Sequence, residues 1–472
     1  MKDILCSEFK RKFSVSMYKN LKLKLAEMSF YKNFLMSNRG DLYPILHSGD
    51  DCKEKIEYNR YTVIGEIKRF ICQFFPYATY EISADIRSGE VGFSFILTDT
   101  EATVSVSGSS LIYRHADRTE SITLPNYLQS SITFQVSCRP GAFDVYFLTN
   151  EKYEFFTSIS DDSFLSSNEY SKFSDGISAL YVNGDVTVSS VQSFIDNGIS
   201  IADMRSIRYE NGDVMIDHGK VYFTASIRMQ VLKFQGVFSW VPGTAEFELV
   251  GTILYDSGDG KWCGDVAASI IYNRACEKWY LWVCSFSHNH ILGHSEFDGD
   301  PRFGVNVIDL TLMDKAPDGA EISDFVGFEG DEDPDFIYDE ERGKWLMSVC
   351  RLDKESKNYR YVFFESDRPF DGYQCIGQGY DGAETGGSFV KVNGELVFIC
   401  GNDFHAVSDY RIYRKGGMTK AKFNFPDGGF RGWGTLMPIK AGSRTRYFWL
   451  TFDRQLGSSF NWSYGNLYCF EA

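Results

Sequence analysis

The chain lacks the segments and motifs that mark membrane proteins and several common classes of enzyme. No run of about 18 apolar residues occurs in its 472 residues, so we expect no membrane span. The lysines near the start are not followed by an apolar region and a small-residue cleavage site, so no secretory signal is recognisable. A Gly-rich phosphate loop, a Gly-x-Ser-x-Gly elbow and a kinase signature are also missing, which leaves covalent serine hydrolysis and phosphoryl transfer without support.

An excess of basic charge and paired cysteines are missing as well. The 48 Lys and Arg residues are outnumbered by 64 Asp and Glu, and the net charge of -16 argues against nucleic acid or anionic membrane as a partner. The 11 cysteines form no Cys-x-x-Cys pair and no Cys/His cluster at zinc spacing. Many free thiols suit a reducing compartment, so we expect a cytoplasmic protein. The acidic net charge is compatible with a neutral ligand such as a sugar.

Short strands of alternating apolar and polar residues dominate what is present. A chain of this length is expected to form two or three domains. Residues 1–30 are interpreted as an N-terminal extension. Over 31–195 the alternation, as in 91–97 and 143–148, predicts an antiparallel β-sandwich that resembles concanavalin- and laminin-G-like jelly rolls in architecture.

A strand-turn-strand phrase repeats in the C-terminal part of the chain, with a period of roughly 50–70 residues. The repetition predicts a five-bladed β-propeller over 196–472, and hence an all-β protein. The last unit is one strand short, and residues 206–209 are predicted to supply that strand and fasten the ring. The five units include residues 220–225, 265–283, 332–347, 384–399 and 434–450.

Acidic residues open several of these phrases, where a propeller directs side chains towards its central cavity. Hydrolysis of a glycosidic bond requires two or three such carboxylates in one pocket. The phrase Asp333-Pro334, followed one blade later by Glu384, resembles the five-bladed glycosidases of glycoside hydrolase family 43 and their relatives in the fructosidase clan. The resemblance implies that Asp333 tunes the acid and orients the substrate, and that Glu384 is the general acid. The sequence departs from the family where Glu-Gly-Pro is replaced by Glu384-Thr385-Gly386-Gly387.

The resemblance also implies a general base, an Asp in the first blade, and two residues compete for that role. Asp203 precedes Met204-Arg205 and matches the family's Asp-Pro entry with the proline replaced. Asp213 stands directly ahead of the hairpin at Gly219, and it gains if residues 206–209 fasten the ring. Both alternatives stay open from the sequence. Exo-action and inversion are further implications of the resemblance.

Aromatic, histidine and arginine side chains near expected strand starts are candidates for contact with a sugar. His288 belongs to the loop 287–294, whose three histidines also permit a metal site, although contact with sugar hydroxyls is the favoured interpretation. Arg431 is a candidate to hold a substrate carboxylate. The candidate substrate-binding residues are Trp262, Asp265, His288, His405, Arg431 and Trp433.

The expected partner is an oligosaccharide. No cofactor and no catalytic metal are expected, although a structural calcium or other cation in the propeller channel is compatible with the resemblance. Two alternatives remain beside the glycosidase: a non-catalytic glycan-binding protein, and a phosphorolytic relative that uses inorganic phosphate in place of water. Basic residues in the pocket would favour the phosphorylase, and Arg205, Arg208 and Arg431 are the ones to check.

Overall fold

The computed structural model describes most of the chain and divides it into two compact units, Met1–Leu21 with Asn197–Ala472 and Lys22–Asp196. Most of the described residues are in strands, with one short α-helix at Asp162–Leu165 and short 3-10 helices at Ile4–Cys6 and Phe286–His288. They are 3–17, 19, 21–31, 34–37, 43–125, 131–165, 175–198, 200–228, 233–260, 262–288, 290–317, 319, 330–353, 356, 358–380, 383–402, 409–423, 434–442, 444–452 and 466–472.

No helix in these described ranges is both long enough and apolar enough to cross a membrane.

The unit Lys22–Asp196 is one branched sheet of 13 strands around an aromatic and aliphatic core. Its two longest strands pair with each other, and Gly89 lies opposite Gly184 where they pass closely. A Cβ added at Gly89 would lie 2.0 Å from the Asn183 carbonyl oxygen, so only glycine fits there. The jelly-roll assignment of this unit stays a prediction. The strands are Lys22–Tyr31, Phe34–Ser37, Ile45–Ser48, Lys53–Glu57, Arg60–Gln73, Thr79–Leu97, Thr100–Ser107, Ser110–His115, Arg118–Thr123, Ser131–Arg139, Ala142–Thr149, Lys152–Ser160 and Ile177–Asp196.

The other unit contains five sheets that follow one another along the chain, which confirms the predicted propeller. We number them blade 1 to blade 5. Blade 1 has Ser200–Ser206, Lys220–Arg228, Lys233–Trp240 and Phe247–Asp256, with Ile216–Asp217, Trp262–Cys263 and Gly304–Asp309 added. Blade 2 has Val266–Asn273, Lys278–Ser285, Ile291–Phe297, Thr311–Leu312 and Arg208–Tyr209. Blade 3 has Asp331–Asp339, Lys344–Leu352, Tyr359–Ser366 and Gln374–Gln378. Blade 4 has Glu384–Val392, Glu395–Asn402, Asp409–Arg414 and Gly417–Lys420. Blade 5 has Thr435–Ala441, Arg444–Phe452, Asn466–Glu471, Glu8–Ser16 and Lys422–Phe423.

The strand that fastens the ring comes from the N-terminal segment, so the prediction for residues 206–209 is wrong. Glu8–Ser16 lies antiparallel to the C-terminal strand of blade 5, whereas Arg208–Tyr209 runs parallel to Val266–Asn273 in blade 2. Phe9 is fully buried and meets the Trp449 ring edge-on at 5.1 Å. The rest of Glu8–Ser16 is largely exposed, and its sequence shows little alternation of apolar and polar residues. For this reason the sequence pattern does not reveal a strand within residues 1–30.

Candidate functional site

The first strand of each of blades 1 to 4 has the same backbone irregularity near its start. Each strand has a β-bulge, seen as a register shift across four residues: 202–205, 266–269, 332–335 and 385–388. The second residue of each bulge is left-handed, with φ of 51° at Asp203, 61° at Ala267, 48° at Asp333 and 62° at Gly386. These four residues are therefore structural equivalents. A bulge of this kind re-aims a side chain at the rim of a sheet.

Asp203 occupies the bulge of blade 1 and is 6% exposed. The hydroxyl of Ser226 donates a hydrogen bond to its Oδ2, and Arg228 Nη2 donates to the same oxygen at 3.4 Å. Both donors come from the neighbouring strand Lys220–Arg228, so blade 1 fixes the carboxylate by itself. The second carboxylate oxygen, Oδ1, accepts no hydrogen bond from the part of the chain that the structure describes.

Asp333 occupies the equivalent bulge of blade 3 and is also 6% exposed. Its Oδ2 accepts hydrogen bonds from Thr385 Oγ1 at 2.9 Å and from the Gly386 N–H at 3.1 Å. Burial first, and then the negative charge of Asp203, raise the pKa of Asp333 to about 6. The charge of Asp203 is therefore close enough to oppose the ionisation of Asp333.

Arg205 is the basic residue that accompanies this pair. It is 2% exposed, and its Nη2 donates to the Asp333 carbonyl oxygen at 3.3 Å. Its charge lowers the pKa of Asp333 and so partly offsets the effect of Asp203. Nε and Nη1 of Arg205 have no hydrogen-bond partner among the described residues. The sequence marked Arg205 only as a residue to check for phosphate binding.

Glu332 is a neighbouring acid that the sequence reasoning missed. Its side chain is 18% exposed, and its Oε1 meets His290 Nδ1 at 2.7 Å and accepts from the Tyr359 hydroxyl at 3.3 Å. Its Oε2 makes no hydrogen bond to any residue that the structure describes. The charge of Glu332 also raises the pKa of Asp333. The signal in the sequence is the position of Glu332 directly ahead of Asp333.

Glu384 stands two residues ahead of the left-handed Gly386, not at it. It is fully buried, and its Oε1 accepts from Arg411 Nη1 at 3.0 Å and from the Tyr413 hydroxyl. A Cβ added at Gly379 would lie 2.3 Å from Glu384 Oε2, so the chain covers the other oxygen closely. Burial raises the pKa of Glu384 against the hydrogen bonds from Tyr413 and Arg411, which lower it.

The residues equivalent to Glu384 in two other blades also bind within their own blade. Asp265 in blade 2 accepts from the hydroxyls of Ser285 at 2.7 Å and Ser287 at 2.9 Å. Asp331 in blade 3 is paired with Arg351 Nε at 2.6 Å. An acid two residues ahead of the left-handed residue therefore accepts side-chain hydrogen bonds from its own blade in all three cases, and Glu384 Oε2 accepts in addition from the Tyr361 N–H of blade 3 at 3.4 Å. The assignment of Glu384 as the acid stays a prediction that this geometry does not favour.

Asp213, the alternative to Asp203, lies in the turn that follows Arg208–Tyr209. Its side chain is 39% exposed, and its Oδ1 is 3.5 Å from Lys440 Nζ. It is neither left-handed nor part of a bulge. Because the fastening strand is Glu8–Ser16, the argument that favoured Asp213 no longer applies.

Three of the candidate sugar-binding residues lie near one another. Ser285 Oγ is 2.7 Å from both Asp265 Oδ2 and His288 Nδ1, and Trp262 is buried close by in sequence. One ligand atom each of Cys263, Asp265 and His288 lie within 4.8 Å of one another, a spacing that could hold a metal ion. His288 and His290 do not share a ligand set, because His290 binds Glu332. The other three candidates, His405, Arg431 and Trp433, lie outside the described residues.

No protein-family model and no curated protein matches the chain. Solved structures that it resembles include a thermostable family-43 glycoside hydrolase, at 12% identity and TM-score 0.37 over 58% of this chain and 88% of that one. A family-62 α-L-arabinofuranosidase catalytic domain from Coprinopsis cinerea matches at 12% identity and TM-score 0.38, over 57% and 97%. A family-117 glycoside hydrolase from Zobellia galactanivorans matches at 11% identity and TM-score 0.39, over 57% and 90%. Likeness at this level establishes neither a family nor an activity, so the fold rests on the five sheets themselves.

Proposed function

We propose that the propeller hydrolyses a glycosidic bond in an oligosaccharide, at a site built on Asp203 and Asp333. One observation carries the proposal: two buried carboxylates occupy equivalent bulges of blades 1 and 3, and Asp203 contributes to a pKa of about 6 at Asp333. A buried acid whose ionisation is opposed by a neighbouring acid is characteristic of acid-base catalysis.

The roles follow from the partners of each carboxylate. Asp203 accepts hydrogen bonds from Ser226 and Arg228 and leaves Oδ1 to bind a water, so we assign it as the general base. Asp333, with its raised pKa, exchanges its proton near neutral pH and tunes the charge of the pocket. Exo-action and inversion are further parts of the proposal. Inversion would require base and acid carboxyls about 6.5–9.5 Å apart, with room for a water between base and sugar.

Two residues compete for the role of general acid. A proton donor must come within hydrogen-bond reach of the leaving oxygen. Glu384, the residue predicted from the sequence, is fully buried, and its Oε1 is held by Arg411 and Tyr413. Glu332 is partly exposed and keeps Oε2 unbonded among the described residues. The geometry therefore favours Glu332, and the matched Glu→Gln variants decide between them.

The test is hydrolysis of a panel of aryl arabinofuranosides, xylosides, galactosides and fructosides by the wild type and by Asp203→Asn, Asp333→Asn, Glu332→Gln and Glu384→Gln. Asp213→Asn is the matched control, since it makes the same change in the other first-blade candidate. We expect a sugar to be released by the wild type and the control, and the release to collapse in Asp203→Asn and Asp333→Asn.

A further comparison identifies the acid, because a good leaving group departs without protonation. The variant of the true acid should keep most of its rate on a dinitrophenyl glycoside and lose it on a methyl glycoside. Silence across the panel with glycan binding intact would replace the proposal by a non-catalytic glycan-binding function.

A further inference from the structure

Two cations face each other across the neighbouring strands Lys220–Arg228 and Lys233–Trp240 of blade 1, close to Asp203. Arg228 and Lys233 are directly opposite in the register of neighbouring strands, so their side chains leave the same face of the sheet. Like charges in this arrangement are destabilising. Arg228 is compensated by Asp203, whose Oδ2 is 3.4 Å from Nη2. Among the residues that the structure describes, Lys233 has no such partner at hydrogen-bond distance.

The surroundings of Lys233 show an ammonium group without an anion. Nζ lies 3.6 Å from the centroid of the Phe286 ring, a cation–π contact that holds the side chain over the ring. Among the described residues no carboxylate, carbonyl or hydroxyl oxygen bonds to it. Burial, and then the charge of Arg228, lower the pKa of Lys233.

Lys233 also lies within electrostatic reach of the proposed site. The charges of Asp203 and Glu332 raise the pKa of Lys233, whereas the charge of Arg228 lowers it. Arg205 adds a second cation with unpartnered donors near the same pair of acids. The N–H groups of Lys233 and Arg205 are therefore available to bind an anion at this site.

We propose that Lys233, with Arg228 beside it, forms a subsite for an oxyanion: a carboxylate, sulfate or phosphate group next to Asp203. The inference rests on the proposed function in taking this region as the place where sugar binds. The oxyanion has two sources. It is either a charged substituent of the glycan, such as the carboxylate of a uronic acid, or free inorganic phosphate.

If the source is free phosphate, the reaction is phosphorolysis. A phosphate oxygen then forms the bond to the anomeric carbon, the glycosidic C–O bond breaks, and the leaving oxygen takes the proton of the general acid. The products are a sugar 1-phosphate and the shortened glycan, with no change in oxidation state. If the source is a uronic acid, water remains the nucleophile and Lys233 determines which sugar is accepted.

Titration calorimetry with inorganic phosphate, sulfate and glucuronate, without any glycoside, tests the subsite on the wild type, Lys233→Met and Lys233→Arg. Lys220→Met is the matched control, because Lys220 makes an exposed pair with Glu248 in the same blade. The wild type should bind at least one of the three anions, and Lys233→Met should weaken that binding about tenfold or more, the value of one charged hydrogen bond. Lys233→Arg and Lys220→Met should stay within about threefold of the wild type, since both keep a cation at position 233.

Two activity measurements identify the source. Sugar 1-phosphate formed only when phosphate is present assigns the oxyanion to the nucleophile. Faster cleavage of aryl glucuronides than of aryl glucosides, with the preference lost in Lys233→Met, assigns it to the substrate. Equal binding by the wild type and Lys233→Met, or no binding of any anion, overturns the subsite. The two proposals fail separately: an inactive protein that binds phosphate through Lys233 refutes only the hydrolase, and an active one that binds no anion refutes only the subsite.

Discussion

Blades 3 and 4 begin with nearly the same backbone and use their acids differently. Both have a bulge with a left-handed second residue, but blade 3 places Asp333 there and blade 4 places Gly386. The acid of blade 4, Glu384, stands two residues earlier and binds Arg411 inside its own blade. The comparison shows that acids at these two positions take different hydrogen-bond donors. Asp333 accepts from Thr385 and Gly386 of the next blade, whereas Glu384 is held mainly by Arg411 and Tyr413 of its own blade, with the Tyr361 N–H of blade 3 at 3.4 Å from Oε2.

The largest expected effect concerns the two acids at bulge positions. Asp203→Asn and Asp333→Asn should each lower kcat by about 10³-fold, within the range of general acid-base catalysis. Both variants should still unfold cooperatively on heating, because the amide keeps most of the hydrogen bonds of the carboxylate. Full turnover in either variant on a substrate that the wild type cleaves would show that the residue is not catalytic. It would also contradict the inference that the bulge positions mark the catalytic site.

The next largest effect concerns stability and compares Glu384 in blade 4 with Glu332 in blade 3. Glu384→Gln removes the nearest anion of the buried Arg411 guanidinium and leaves Asp409 Oδ1 at 4.0 Å, which should cost about 3 kcal/mol of unfolding free energy. Glu332→Gln, at a partly exposed acid, should cost less than about 1 kcal/mol. Urea unfolding curves of the two variants measure the difference.

The double variant Glu384→Gln/Arg411→Met separates a structural from a catalytic role for Glu384. Removing both charges should recover part of the lost stability, because no unpaired charge remains. If Glu384→Gln is as stable as the wild type but inactive, the sequence-based assignment of the acid is right and the geometric argument is wrong.

A third effect depends on pH and on the interaction between blades 1 and 3. The pKa of Asp333 is raised from 3.8 to about 6, so its contribution to stability is fully present below pH 4 and is lost as the pH rises through 6. Relative to Asp333→Asn, the wild type should therefore lose about 2–3 kcal/mol between pH 4 and 7. Asp203→Asn removes a charge that raises this pKa, so the loss should move to lower pH in that variant. Thermal unfolding across this range provides the measurement.

The sequence predicted the propeller, and it singled out Asp333 as a candidate, because both depend on local signals. Alternating strands and Gly-containing turns recur in every blade, and the Asp333-Pro334 phrase opens a well-marked hairpin. The fastening strand was missed because only Phe9 is fully buried in it, and its partner lies at the other end of the chain. Glu332 and Lys233 were missed because their importance arises from neighbours in other strands and blades, which periodicity does not reveal.

The smallest expected effect is a change in stability at the bulge of blade 2, which has no acid at its left-handed residue. Ala267 is left-handed, with φ of 61°, and carries no acid, so it bears the conformational cost of the bulge without a functional gain. Ala267→Gly should stabilise the protein by about 1 kcal/mol, since glycine adopts this conformation freely. The matched control Ala268→Gly, one residue later and fully buried, should destabilise it, because that backbone is not left-handed and the methyl group packs in the core. If Ala267→Gly destabilises the protein as much as the control does, the left-handed residue is not a strained position. The occurrence of Asp at two of the four bulges would then need no functional explanation.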